Sequence, residues 1–111
     1  MHRSRVKEAE LNFSRVARYR FPEERHDEAV EAFRNAANGL RALDGNTGGY
    51  LLIDRDNSTA LTVTFWESRA AMEASEVGAS RLRNEAINAV GGEVQAVDRC
   101  EVALDFSDVG A

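Results

Sequence analysis

The sequence contains two histidines, one cysteine and one proline in 111 residues. Cys100 has no second cysteine for an internal disulfide, and it cannot be half of a Cys-rich zinc site. Placed in the middle of an alternating stretch, it reads as a buried, reduced thiol. His2 and His26 do not have the spacing that puts two imidazoles on one helix face, and both are expected at the surface. No apolar run approaches the ~20 residues that span a bilayer. The basic start, residues 1–8, is followed by no apolar segment and does not read as a signal peptide. There is no G-x-S-x-G elbow, P-loop or dinucleotide-binding glycine motif. Gly48-Gly49 and Gly91-Gly92 read as a turn and a helix stop. These absences predict a cytoplasmic protein with no membrane contact, no metal and no cofactor.

What is present suits a globular domain: 43% hydrophobic and 30% charged residues, with a net charge of −5. The charge is uneven. Residues 1–25 carry +3 and the remainder −8. Arg15, Arg18 and Arg20 run along one segment beside Tyr19, but the acidic remainder would repel phosphate, so nucleic acid is not an expected partner. Residues 1–11 lack periodicity and read as a flexible arm. Residues 12–107 read as a single domain.

Residues 13–21 alternate, with Phe13, Arg15, Ala17, Tyr19 and Phe21 on one face, and read as a strand ended by Pro22. Asp27 is a candidate N-cap for a helix over residues 28–43, where apolar residues recur in steps of three and four until Asp44-Gly45. Gly48-Gly49 lead into a strand at residues 50–55, apolar enough to be buried on both faces. Asp56-Asn57-Ser58 supplies hairpin chemistry, with Asn57 suited to positive φ.

The stretch over residues 61–72 organises the rest. Leu61, Val63 and Phe65 share one strand face, and Ala60, Thr62, Thr64 and Trp66 the other. Ser68 is a good N-cap for the helix that follows. Trp66, the single tryptophan, therefore sits where a strand ends and a helix folds back, a place where pockets open. Gly78 is expected to break or bend that helix. Its second piece carries Leu82, Ala86, Ile87 and Val90 inward, with Arg81, Arg83 and Glu85 outward. Residues 93–106 form the last strand candidate, with Val94, Ala96, Cys100, Val102, Leu104 and Phe106 on one parity.

The order strand, helix, strand, strand, helix, strand is the split βαβ, ferredoxin-like α+β arrangement, an antiparallel sheet with both helices on one face. The face bearing Leu61, Val63 and Phe65 then lacks a cover within the chain, which predicts a homodimer.

Phe65-Trp66-Glu67-Ser68 followed by Ala74-Ser75-Glu76, the residue 54–66 hairpin and the closing residues 100–104 together resemble the antibiotic biosynthesis monooxygenase family of dimeric α/β barrels. The resemblance implies a barrel shared by two chains and a pocket between sheet and helices in each. It also implies a cofactor-independent monooxygenase acting on an electron-rich aromatic small molecule of the phenol, anthrone or quinol type. The alternative is a non-catalytic small-molecule-binding dimer. In the haem-degrading branch an asparagine stands where this chain has Ala17, and a histidine stands in the second helix, which here has none. Haem iron is thus left without an evident proximal ligand. The resemblance places Ala17 in the pocket, flanked by Arg15 and Tyr19. Together with Trp66, Thr64 and Met72, these are the expected substrate-binding residues. Arg15 is suited to stabilising a phenolate or enolate, or to pairing with Asp98 or Glu101 on the last strand. No catalytic base is assigned.

Overall fold

The computed structural model describes residues 12–107. The expected arm at residues 1–11 lies outside that range. Strand β1 (Phe13–Arg20) leads through a 3₁₀ turn (Glu23–Arg25) into helix α1 (His26–Ala42). Strands β2 (Asn46–Asp54) and β3 (Thr59–Trp66) follow as a hairpin. Helices α2 (Arg69–Ala74) and α3 (Glu76–Ala89) then return the chain to strand β4 (Glu93–Glu101). The sheet order is β2-β3-β1-β4, antiparallel at every junction. This is the ferredoxin-like α+β fold. No helix among the described residues is long and apolar enough to cross a membrane.

The core lies between the sheet and the helices. Ala17, Tyr19 and Phe21 meet Ala29, Phe33 and Ala36 of α1 and Ala86 and Ile87 of α3. Alternation explains the sheet side over the second half of β1, where buried Ala17 and Tyr19 alternate with exposed Arg18 and Arg20. On the opposite face Tyr50 pairs with Val63 and Leu52 with Leu61, beside Phe65. Tyr50 and Leu52 stay 67% and 50% exposed, so β2 is an edge strand open on its outer face rather than buried on both.

Several local expectations are corrected. Helix α1 begins at His26, and the residue at its N-cap is Arg25, with no side-chain cap; Asp27 lies inside the first turn. The 3₁₀ turn after Pro22 takes up the start of the helix and displaces the cap. His26 is half-buried rather than exposed, with Nε2 3.2 Å from Ser58 Oγ and its ring edge-on to Phe21. β2 starts at Asn46, so Gly48 and Gly49 belong to the strand. Its register slips between Asn46 and Gly48, and Gly48 takes φ +136, a conformation that favours glycine. In the hairpin Ser58 has positive φ (53), not Asn57, whose side chain and amide bond to Asp54 instead.

The second helix breaks at Ser75 and not at Gly78. Ser75 Oγ donates to Met72 O at 2.7 Å, which satisfies a carbonyl that the continuing helix would have used. Val77 is 82% exposed. β4 ends at Glu101, and Leu104 and Phe106 beyond it are exposed. The β1–β4 pairing carries a bulge: Arg18 faces Ala96 while Tyr19 faces Val94, leaving Gln95 without a partner. Val94 and Val97 therefore both pack on the core. Cys100 lies on the outer face and is exposed, not buried.

Candidate functional site

The corner at the end of β3 is fixed by local bonds. Ser68 Oγ accepts from the Ala71 amide at 3.0 Å, as an N-cap should. The Glu67 amide donates to Gly45 O at 2.9 Å, tying the corner to the end of α1. Gly45 has φ +84, and a Cβ there would stand 2.4 Å from Ala71 Cβ, so only glycine fits this crossing.

Trp66 is fully buried, and its indole N–H donates to Thr64 Oγ1 at 3.0 Å. The Arg15 guanidinium stacks on the same indole. Arg15 is 2% exposed, and its Nη2 donates to Met72 O, Ser75 Oγ and Glu76 Oε1. The expected pairing of Arg15 with the last strand is thus corrected: its carboxylate comes from α3. Asp98 and Glu101 fall elsewhere because β4 sends Arg99 to that carboxylate, with Arg99 Nε 3.0 Å from Glu76 Oε1. Met72 is buried beneath this junction. Tyr19, also fully buried, shares a 2.6 Å hydrogen bond with Thr62 Oγ1 and tilts against the Phe33 ring. Ala17 is core, 1% exposed.

A cavity of about 280 Å³ opens between α1 and the β2–β3 half of the sheet. Phe33 and Leu40 form its helix wall, Gly48, Gly49 and Leu51 its strand wall, and Tyr50 lines it from the edge strand. Thr62 and Thr64 line it from β3. Behind these threonines and behind Phe33 and Leu40 lies a crevice of about 10 Å³, bordered also by Arg15, Tyr19 and Arg83. Of the residues expected from sequence, Thr64 lines the cavity, and Arg15 and Tyr19 border the crevice behind it. Trp66 and Met72 line neither; Trp66 reaches the cavity only through its bond to Thr64.

Arg83 departs from expectation. It was expected to face outward, yet it is 9% exposed on the inner face of α3. Its position is four residues after buried Ala79 and four before buried Ile87, which is the spacing of one helix face. That spacing was the available signal. For the β2 wall the signal was a glycine pair inside a strand pattern, which marks a bulge or a close approach.

Electrostatics follow from burial. Desolvation lowers the Arg15 pKa; Glu76 opposes this, while Arg83 and Arg99 reinforce it. The hydrogen bond from Arg99 holds the Glu76 carboxyl below its ordinary value despite partial desolvation, helped by the charges of Arg15 and Arg99. Burial pushes the Tyr19 phenol up to about 12 against the bond to Thr62 and the two nearby arginines, so it keeps its proton at neutral pH. No group of three or more His, Cys, Asp or Glu side chains gathers as a metal site among the described residues.

The sequence model of antibiotic biosynthesis monooxygenases matches residues 12–79, more than half of the chain. The chain belongs to the antibiotic biosynthesis monooxygenase family. Solved structures agree in fold. SnoaB, a cofactor-independent oxygenase of Streptomyces nogalater solved in a mutant form, is 15% identical with a TM-score of 0.69, covering 86% of this chain and 97% of its own. The haem-degrader MhuD of Mycobacterium tuberculosis, with two haems in its active site, is 23% identical with a TM-score of 0.62 over 84% and 97%. A conserved protein of Methanosarcina mazei Go1 is 8% identical with a TM-score of 0.66 over 86% and 97%. No curated protein matches the chain.

Proposed function

We propose that this member of the antibiotic biosynthesis monooxygenase family binds an electron-rich aromatic molecule of the phenol, anthrone or quinol type in the α1–β2–β3 cavity. There it lets the molecule react with oxygen without a cofactor. The observation that carries the reading is an apolar cavity backed by two threonine hydroxyls, with buried guanidinium groups behind them. Its volume is near the lower end of the ~300–1,000 Å³ usual for ligand sites, which suits a small planar molecule. Such a substrate is its own reductant. For an anthrone, loss of a proton from the ring CH₂ gives a carbanion, whose carbon adds O₂. The resulting hydroperoxide loses water, so one oxygen atom becomes the new carbonyl and the other leaves as water. The protein has to orient the ring and stabilise the anion. Tyr19 is a poor base at neutral pH, with its proton held to about 12. The proton therefore passes to solvent water, a loss that the guanidinium charges favour by stabilising the anion left behind.

MhuD shares the fold and holds haem, a group whose iron needs an axial ligand. Among the described residues the cavity wall carries no histidine, cysteine or methionine, and its one tyrosine, Tyr50, is two-thirds exposed. These residues do not fit an axial ligand.

The second reading, a small-molecule-binding dimer without catalysis, is favoured by one observation: among the described residues the cavity wall carries no carboxylate and no imidazole, its ionisable side chains being Arg41 and Tyr50. In both readings the homodimer rests on the uncovered apolar face of Tyr50, Leu52, Leu61, Val63 and Phe65. The deciding experiment is oxygen uptake by the purified protein with a panel of anthrones and hydroquinones. Saturable uptake, with one labelled oxygen atom in the product, supports the oxygenase. Saturable binding without uptake supports the binding module. Neither uptake nor binding by any of the panel would sink both.

A further inference from the structure

Resting on the cavity as the aromatic site, we infer that the crevice behind Thr62 and Thr64 is an oxyanion subsite in which Arg83 determines specificity. The ligand then carries an anionic oxygen on its ring system, pointed inward. Arg83 is more than nine-tenths buried and has neither a hydrogen-bond acceptor nor a carboxylate partner among the described residues, and its Nε is buried without a partner. Arg15 borders the same crevice; Nη2 makes all its hydrogen bonds, leaving Nε and Nη1 unpartnered. Among the described residues, the one carboxylate bonded in this corner, Glu76, is shared between Arg15 and Arg99. Three guanidiniums, Arg15, Arg83 and Arg99, thus meet one carboxylate here, and the two that border the crevice are the buried ones.

Geometry sets the size of what neutralises them. The crevice holds about 10 Å³, room for a single water-sized atom. The adjoining cavity of about 280 Å³ shares Phe33, Leu40, Thr62 and Thr64 with it. A ring fits the cavity and one of its oxygens the crevice. Two hydroxyl-bearing threonines and two guanidiniums would surround that oxygen, and no buried carboxylate among the described residues competes with it.

The test uses 2-naphthoate, its neutral analogue 2-naphthamide, and 2-naphthol, by titration calorimetry near pH 7.5. The wild type is expected to prefer 2-naphthoate over 2-naphthamide by about ten- to a hundredfold, the range for hydrogen bonds to a charged group. Arg83→Met should erase that preference while leaving 2-naphthamide affinity and thermal midpoint undiminished, since an unpaired buried charge has been replaced by an apolar chain. Arg83→Lys keeps the charge and should keep most of the preference, which guards against a Met variant that fails to fold. If 2-naphthol binds with the red-shifted absorption of its anion, the oxygen is a phenolate; capture of 2-naphthoate alone assigns a carboxylate. Equal binding of 2-naphthoate and 2-naphthamide, or an unchanged ratio in Arg83→Met, overturns the subsite and leaves the aromatic cavity standing. Binding of none of the three overturns the subsite and takes the cavity reading with it.

Discussion

Arg15 lies over Trp66, its guanidinium carbon 5.2 Å from the ring centroid, while Nη2 reaches Met72 O at 2.6 Å. One side chain thus joins the central strand, the end of β3 and the break between α2 and α3. Arg15→Met should lower unfolding free energy by about 1–3 kcal/mol, from lost charged hydrogen bonds and the cation–π contact. The cost stays within this range because Ser75 Oγ still satisfies Met72 O. Urea denaturation measures it, and an unchanged midpoint would show that the clamp contributes nothing.

Glu76 gives this junction a pH dependence. Its folded pKa lies below the ordinary value, chiefly through the Arg99 hydrogen bond. The stabilisation is therefore fully present above the unfolded carboxyl pKa of about 4.3 and is lost as pH falls through the lower folded value. Between about pH 7 and pH 3 the urea midpoint of the wild type should fall more steeply than that of Glu76→Gln. Parallel curves would remove Glu76 from the account.

Gly45→Ala should cost roughly 2–4 kcal/mol, combining positive-φ strain with a clash against Ala71 Cβ. Gly48→Ala, also at positive φ but with nothing within 4 Å of the new Cβ, should cost less, about 1–2 kcal/mol of strain alone. The order of the two melting temperatures is the check, and the reverse order would contradict the packing at the corner.

The homodimer is tested at Val63, which sits among Tyr50, Leu61 and Phe65 on the uncovered face. Light scattering at micromolar concentration should give twice the 12.2 kDa chain mass. Val63→Lys should give a folded monomer or an unfolded chain. A wild-type monomer would refute the closed barrel.

The topology was legible because its signals are local. The stripe of α1, the alternation of β3 and the Ser68 cap each specify an element without help from distant residues. The site was legible only in part. Trp66, Arg15 and Met72 meet one another in a buried clamp, and the cavity lies beside them, toward β2. Its wall was hidden because a glycine pair signals a turn as readily as a strand bulge. Arg83 was missed because charge is a stronger cue for exposure than helical spacing is for burial. Arg15 shares Glu76 with Arg99, and no alternation pattern reveals which residues of β4 face inward once an unpaired residue intervenes.

That unpaired residue, Gln95, works like a frameshift in a two-letter code. Before it the even position Val94 looks at the helices; after it the odd positions Val97 and Arg99 do. Were β4 to run straight through Gln95 from Val94, Asp98 and Cys100 would take the inward places, and a carboxylate would meet Glu76 where a guanidinium now holds it. The sign of the charge that fastens α3 to the far margin of the sheet is therefore decided by a backbone irregularity at a residue whose own side chain is exposed to solvent.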